Sequence, residues 1–131
     1  MLLLDTDVMV DVLRGYEPAV EWLGSLTDEA PALPGFVVLE LMDGCRSKME
    51  MKRLLKRVAP FRIYWPRDTD CNQALIEFAK GRLTNALSVL DVLIAECALG
   101  LNATLCTFNT RHFRSIAHLK TRQPYRKTTA Q

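Results

Sequence analysis

The feature that most constrains this chain is an alternation of short apolar runs with helical patterns. LLLD reads as a buried strand, and TDVMVDVLRG as a helix that ends at Gly15. Asp5 or Thr6 can cap that helix, and a glycine suits the position just past its end. Glu17 to Leu26 predicts a second helix with Val20, Leu23 and Leu26 on one side. PALPG predicts a second strand, followed by an apolar helix, FVVLELMDGCRS, and a basic one, KMEMKRLLKRV, with Leu54, Leu55 and Val58 inward. FRIYW predicts a third strand stopped by Pro66, and Asp68 or Thr69 can cap a long helix from Asp70 to Arg82. Ser88 to Leu99 predicts a further helix closed by Gly100. ATLCT then predicts a fourth strand, FNTRHF a loop or short turn, and SIAHL a fifth strand. Strands that alternate with helices pair in parallel and are covered on both faces. The expected fold is therefore α/β, a three-layer α/β/α sandwich on a parallel sheet of four to five strands.

A length of 131 residues suits one domain. We expect it to span residues 1–119, with 120–131 as a basic, loose tail poor in apolar residues. No apolar run approaches the roughly 20 residues of a membrane span. Leu2 to Leu4 is too short for a signal peptide. Cys45, Cys71, Cys97 and Cys106 are scattered among apolar neighbours, form no CxxC pair, and complete no zinc spacing with His112 or His118. Reduced core cysteines and a cytoplasmic location, with no membrane partner, follow as expectations.

Charge is unevenly placed. Residues 1–45 hold nine acids and one base, Arg14, for a balance of −8, whereas residues 46–131 hold sixteen bases and six acids, for +10. Such asymmetry suits a cation on one side and a polyanion or acidic partner on the other.

Taken singly, each acid in the apolar segments has a local explanation. Asp5 can be a helix cap. Asp7 and Asp11, four apart, can share a solvated face, and Glu40 can lie on a solvent stripe of FVVLELM. Asp91 completes the capping box Ser88-Val89-Leu90-Asp91. Taken together, Asp5, Glu40 and Asp91, with Asn109 after the fourth strand, describe one oxygen-rich site at the carboxyl ends of the strands, where open α/β sheets bind ligands. Carboxylate and amide oxygens suit Mg²⁺ or Mn²⁺, and a divalent cation cancels the repulsion that clustering imposes.

The segments LLLDTDVMVDVLRG, VVLELMDG, SVLDVLIAECALGL and TLCTFNTRHF, in that order, resemble the four signature segments of PIN-domain ribonucleases. Within that family they are most similar to the VapC-type toxins of toxin–antitoxin pairs. The resemblance covers roughly residues 2–113. It implies that Asp5, Glu40 and Asp91 are acidic metal ligands, that Asn109 fills the fourth ligand position, and that these four form the catalytic centre. Thr107 matches a supporting hydroxyl. Asp7 stands where the family usually has Asn, and Asp11 matches a position that is often acidic. The implied reaction is hydrolysis of an RNA phosphodiester dependent on Mg²⁺ or Mn²⁺, leaving a 5′-phosphate and a 3′-hydroxyl.

An acidic pocket needs flanking bases if it is to accept RNA. Arg111 and Arg114 flank Asn109 and are the expected RNA contacts, with Lys120, Arg122, Arg126 and Lys127 beyond them. Lys48, Lys52, Lys56, Arg53 and Arg57 recur at helical spacing and read first as a solvated helix face, with RNA contact second. The resemblance also implies a homodimer and a cognate antitoxin that plugs the acidic cleft with a basic side chain. Trp22, Met42, Met49 and Met51 could line the antitoxin's groove or simply pack the core.

Three alternatives stand beside this reading. LLLDTDV fits the strand-DxDx(T/V) motif of HAD-type phosphohydrolases, with Asp5 as nucleophile, but beyond Asp91 only Glu96 remains for that fold's late acidic pair. A catalytically inactive PIN-fold binding module would keep the fold without the reaction. A metal-independent nuclease would use His112 and His118.

Overall fold

A computed structural model describes residues 1–83 and 87–127. In chain order the elements are β1 (Leu2–Leu4), α1 (Thr6–Leu13), α2 (Glu17–Ser25), β2 (Pro31–Pro34), α3 (Gly35–Asp43), α4 (Lys48–Val58), β3 (Arg62–Tyr64), α5 (Asp68–Gly81), α6 (Val89–Gly100), β4 (Thr104–Cys106), α7 (Thr110–Phe113) and β5 (Lys120–Arg122). The strands form one parallel sheet in the order β3-β2-β1-β4-β5, and the flanking helices complete the expected three-layer sandwich. The first strand to be made is thus the central one. Leu2, Leu3 and Leu4 are all buried, as a central strand covered on both faces requires.

Charge marks the edges. The outermost strands read RIY and KTR, and their exposed arginines and lysine discourage further strand pairing. This explains the one misplaced strand. We expected SIAHL to be the fifth strand, but residues 115–119 form a turn, in which Ile116 is buried and His118 takes a positive φ of 67°. An edge strand needs little apolar sequence, because one side and much of one face stay wet. The apolar residue next to it serves instead as a plug. The expected boundary at residue 119 accordingly falls just before a strand of the sheet. The chain from Lys120 to Lys127 is part of the fold, not a loose tail, while residues 128–131 lie outside the described residues.

Helix faces follow the burial pattern with two corrections. In α4, Leu54 and Val58 are buried, but Leu55 is exposed, since it sits a third of a turn away from their shared face. In α2, Ala19 is buried and Val20 is exposed, with Trp22, Leu23 and Leu26 packed against the core. The long helix α5 starts at Asp68, earlier than expected. The Asp70 carboxylate accepts the Arg67 backbone N–H at 2.9 Å and its guanidinium at 3.1 Å, which fixes the first turn. The helix α6 packs against α5 and is buried at Val92, Ile94, Ala95, Glu96, Cys97 and Ala98. The four cysteines are free. Among the described residues no helix is long and apolar enough to cross a membrane.

Candidate active site

Asp5 prolongs β1 by one residue, its backbone N–H donating to the Cys106 carbonyl of β4 at 3.0 Å. Its side chain then does two things. Oδ1 accepts the Thr6 N–H at 2.8 Å, which caps α1, and Oδ2 accepts the hydroxyl of Thr107 at 2.7 Å. Capping and a role in the site are therefore compatible. Thr107 is fully buried just past β4, and its hydroxyl oxygen also accepts the Asn109 N–H at 3.0 Å. A chain of hydrogen bonds thus runs from the backbone of Asn109 through Thr107 to Asp5.

Two further links draw in the neighbouring acids. The Thr6 hydroxyl donates to Glu40 Oε1 at 2.7 Å, so that Glu40 of α3 stands beside the start of α1. The Phe108 N–H donates to Asp7 Oδ2 at 3.0 Å, and the Val8 N–H to its Oδ1 at 2.8 Å. Asp91 makes the expected capping box: its Oδ2 accepts the Ser88 N–H at 3.0 Å, while its own N–H donates to the Ser88 hydroxyl at 3.1 Å. Asp91 also lies near enough to Asp5 for its charge to act on it.

Electrostatics sets Asp5 apart. It is only 4% exposed, and burial, assisted by the charges of Asp7 and Asp91, pushes its carboxyl from 3.8 up to about 7. The hydrogen bonds from Thr107 and Thr6 oppose this and are outweighed. Asp7 is raised too, chiefly by burial, against the pull of the Phe108 and Val8 amides and of Lys127. A buried acid surrounded by acids is costly to ionise unless a cation joins it.

The donor chemistry suits a hard divalent ion, since the residues gathered after the strand ends carry carboxylate, hydroxyl and amide oxygens. Among the described residues, however, no three Asp, Glu, His or Cys side chains stand close enough to enclose an ion as they are placed. Glu40 is turned onto Thr6, and Asp91 onto the Ser88 amide.

The structure links Asp5, Thr107 and the backbone of Asn109 by hydrogen bonds, with Glu40 joined through Thr6, while Asp7 meets the Phe108 amide between Thr107 and Asn109. Asn109 is exposed, at the start of α7. Arg111 within α7 and Arg114 at its end are exposed, as are His112 and His118. The bases of α4 at 48, 52, 53, 56 and 57 form an exposed face. Met49 is exposed, whereas Met42 packs on the core. Trp22 packs on the ring of Tyr125, a contact that accounts for its partial burial.

Sequence reasoning missed Thr6 as the bridge to Glu40, although its position between Asp5 and Asp7 was a usable signal. It also missed the far end of the chain. Tyr125 donates its hydroxyl to Asp11 Oδ2 at 2.7 Å, and the Lys127 ammonium stands 3.0 Å from the same oxygen. No local pattern in QPYRK points to a partner more than a hundred residues earlier.

A profile of the PIN domain matches residues 2–119. The chain belongs to the PIN-domain family. It is similar to ribonuclease VapC10 of Mycobacterium tuberculosis, found in strain H37Rv and in strain CDC 1551, with 30% identity over 122 residues that cover 92% of this chain and 91% of the relative. Its fold is similar to a chain of a toxin–antitoxin complex from Klebsiella pneumoniae, with a TM-score of 0.77 and 20% identity over 97% of this chain and 100% of that one. It is similar also to a chain of VapBC2 from Rickettsia felis bound to a promoter DNA fragment, with a TM-score of 0.77 and 22% identity over 92% of this chain and 96% of that one. Membership of the PIN-domain family displaces the HAD-type phosphohydrolase.

Proposed function

We propose that this PIN-domain protein is a ribonuclease that hydrolyses RNA phosphodiester bonds with Mg²⁺ or Mn²⁺, and that it is the toxin of a toxin–antitoxin pair. The observation that carries the reading is Asp5: a buried carboxylate beside Asp7 and Asp91, at the carboxyl end of the central strand, anchored by Thr107. Similarity to ribonuclease VapC10 over most of both chains supports the substrate class.

In this reading Asp5, Glu40, Asp91 and the side-chain oxygen of Asn109 hold the ion. When bound, it neutralises charge on the phosphoryl oxygens and lowers the pKa of the attacking water. Thr107 donates to Asp5 and accepts from the Asn109 backbone, so that one hydroxyl ties the side chain of one ligand to the main chain of another. Thr6 holds Glu40 beside the start of α1, next to Asp5. Asp7 adds negative charge to the same rim and anchors the Phe108 loop. A carboxylate of this set accepts the proton of the water, and the leaving 3′-oxygen takes a proton from solvent, giving a 5′-phosphate and a 3′-hydroxyl. Arg111 and Arg114, exposed beside Asn109, contact RNA phosphates. The protein works in the cytoplasm as a homodimer, and its antitoxin covers the acidic rim with a basic side chain.

The test is cleavage of a total RNA pool with Mg²⁺, with Mn²⁺ and with EDTA. Cleavage by the wild type should require the metal and leave 5′-phosphate ends, and Asp5→Asn and Asp91→Asn should abolish it. Cleavage that survives EDTA and leaves cyclic phosphate would overturn the reading in favour of His112 and His118. A folded wild type that binds the ion and cleaves nothing would leave the inactive binding module.

A further inference from the structure

The chain after β5 returns to the candidate site. Because β5 runs parallel to β4, residues beyond Arg122 emerge at the same edge of the sheet as Thr107, Phe108 and Asn109. There Tyr125 is clamped by three rings: Tyr16 at 6.1 Å, Trp22 at 6.1 Å and Phe108 at 4.9 Å between centroids. Its hydroxyl is tied to Asp11. Two residues later, Lys127 shares that same Asp11 oxygen at 3.0 Å and lies 4.2 Å from the centre of the Phe108 ring. A lysine near a chain end, which ordinarily sweeps a wide volume, is held here by a carboxylate, an aromatic face and an anchored tyrosine.

We propose that Lys127 is an RNA phosphate contact at the edge of the acidic site, with the C-terminal segment forming a wall of the substrate groove. This rests on the ribonuclease reading above. Three observations carry it. The rim is crowded with Asp5, Asp7 and Asp11, and Lys127 is close enough for its charge to act on Asp7. Its side chain remains 41% exposed, whereas that of Asp11 is 14% exposed, so the pair is open to solvent on the lysine side. An ammonium carries three donors, and Asp11 takes only one. A phosphate oxygen can therefore share the ammonium without displacing Asp11. Asp11, which had no evident part to play, acquires one: it holds the lysine in place before the polyanion arrives. Arg111 and Arg114 differ in being exposed on α7, the element after Asn109, whereas Lys127 lies on the Asp7 and Asp11 side.

The experiment measures kcat and KM on a short, labelled, single-stranded RNA pool of mixed sequence with Mg²⁺, between about 50 and 200 mM KCl. Wild type is compared with Lys127→Met, Lys127→Arg and Tyr125→Phe. Lys127→Met should raise KM roughly five- to tenfold with kcat within about twofold, as loss of one charged contact does. It should also flatten the dependence of log KM on log salt by about 0.7, the share of one phosphate on a single strand. Lys127→Arg should restore both, and Tyr125→Phe, which loosens the anchor, should raise KM less. A fall in kcat with unchanged KM and salt slope would overturn the contact and make the segment a brace for the Phe108 loop. No change in any parameter would overturn it as well. Should wild type fail to cleave, the ribonuclease reading falls, and fluorescence anisotropy of the same RNA in the same buffer decides the contact by the same salt-slope comparison. Absence of both cleavage and binding overturns it.

Discussion

The hydroxyl of Thr107 donates to Oδ2 of Asp5 across 2.7 Å, and neither side chain is open to solvent. One short bond therefore joins the end of the central strand to the end of its neighbour, and through it the Asn109 backbone is fixed as well. Replacing Thr107 by Val keeps the shape and removes both the donor and the acceptor. Asp5 Oδ2 and the Asn109 N–H lose their partner. We expect a loss of about 1–3 kcal/mol in urea denaturation, the ordinary cost of stranding a buried polar group. RNA cleavage should fall at least tenfold, while Thr107→Ser should retain most of both. Equal activity in Thr107→Val and wild type would show that Asp5 needs no such restraint.

The raised proton affinity of Asp5 fixes the sign of a pH effect. An unfolded Asp titrates near 3.8 and the folded one near 7, so in this interval the folded state binds more protons than the unfolded state. Stability contributed by this group is present below about pH 4 and is lost as pH rises towards about 7. Metal-free protein should thus lose on the order of 3–4 kcal/mol from this source between about pH 4 and 7.5. Mg²⁺ or Mn²⁺ should restore it at neutral pH by binding the ionised form. In Asp5→Asn both the slope from this group and the rescue by metal should vanish. Thermal melts across pH, with and without the ion, read all of these, and a wild type whose melting is indifferent to metal at neutral pH would contradict them.

How much of this was legible beforehand depended on whether a residue's role is local. Asp91 with Ser88, Gly15 past α1, and the run Leu2–Leu4 carry their structural reasons within a few residues, and all were readable. The central strands were readable because burial on both faces demands unbroken apolar sequence. Strand β5 was not, because KTR obeys an edge strand's rules, which resemble those of a loop. The rim was half legible. The acids stood out against apolar segments, but which hydroxyl or amide each one meets depends on contacts such as Thr6 with Glu40, Phe108 with Asp7, and Tyr125 with Asp11, set by the packed sheet. The resemblance to PIN domains singled out Asp5, Glu40, Asp91 and Asn109 as candidates but says nothing of the local partners on which Asp5, Glu40 and Asp91 are held.

Glu96 supplies an independent control for the pH argument. It sits in α6, only 2% exposed, and its Oε1 has no hydrogen-bond partner among the described residues. Burial, with the charges of Glu77 and Asp70, raises its carboxyl from 4.5 to about 7. The sign is the same as for Asp5, so stability is lost as pH rises from about 4.5 towards 7. Here no metal should help. Glu96→Met, similar in length and without the stranded oxygen, should raise the melting midpoint at neutral pH by roughly 2–5 °C. It should leave the midpoint nearly unchanged in acid and spare RNA cleavage. If Mg²⁺ cancelled the pH slope of both Glu96 and Asp5, the two groups would not be separate as described.

Gly35 gives the last prediction, and it concerns the approach of a side chain rather than backbone freedom. It opens α3 directly after β2, and Trp65, just past β3, lies across it. A Cβ built on Gly35 would run into the Trp65 indole ring, far inside contact distance. The ring cannot yield without leaving its edge-on contact with Phe36, whose centroid is 5.3 Å away. Its 54% exposure does give it somewhere to go. Gly35→Ala should therefore fold with Trp65 displaced towards solvent, at a cost of about 1–3 kcal/mol. The indole should report it as a red-shifted emission that is more readily quenched by iodide, with Trp65→Phe identifying which of the two tryptophans moved. Glu40 lies five residues further along the same helix, so a small fall in cleavage with unchanged metal requirement should accompany the shift. Unchanged emission and unchanged stability would mean that the indole does not rest on Gly35.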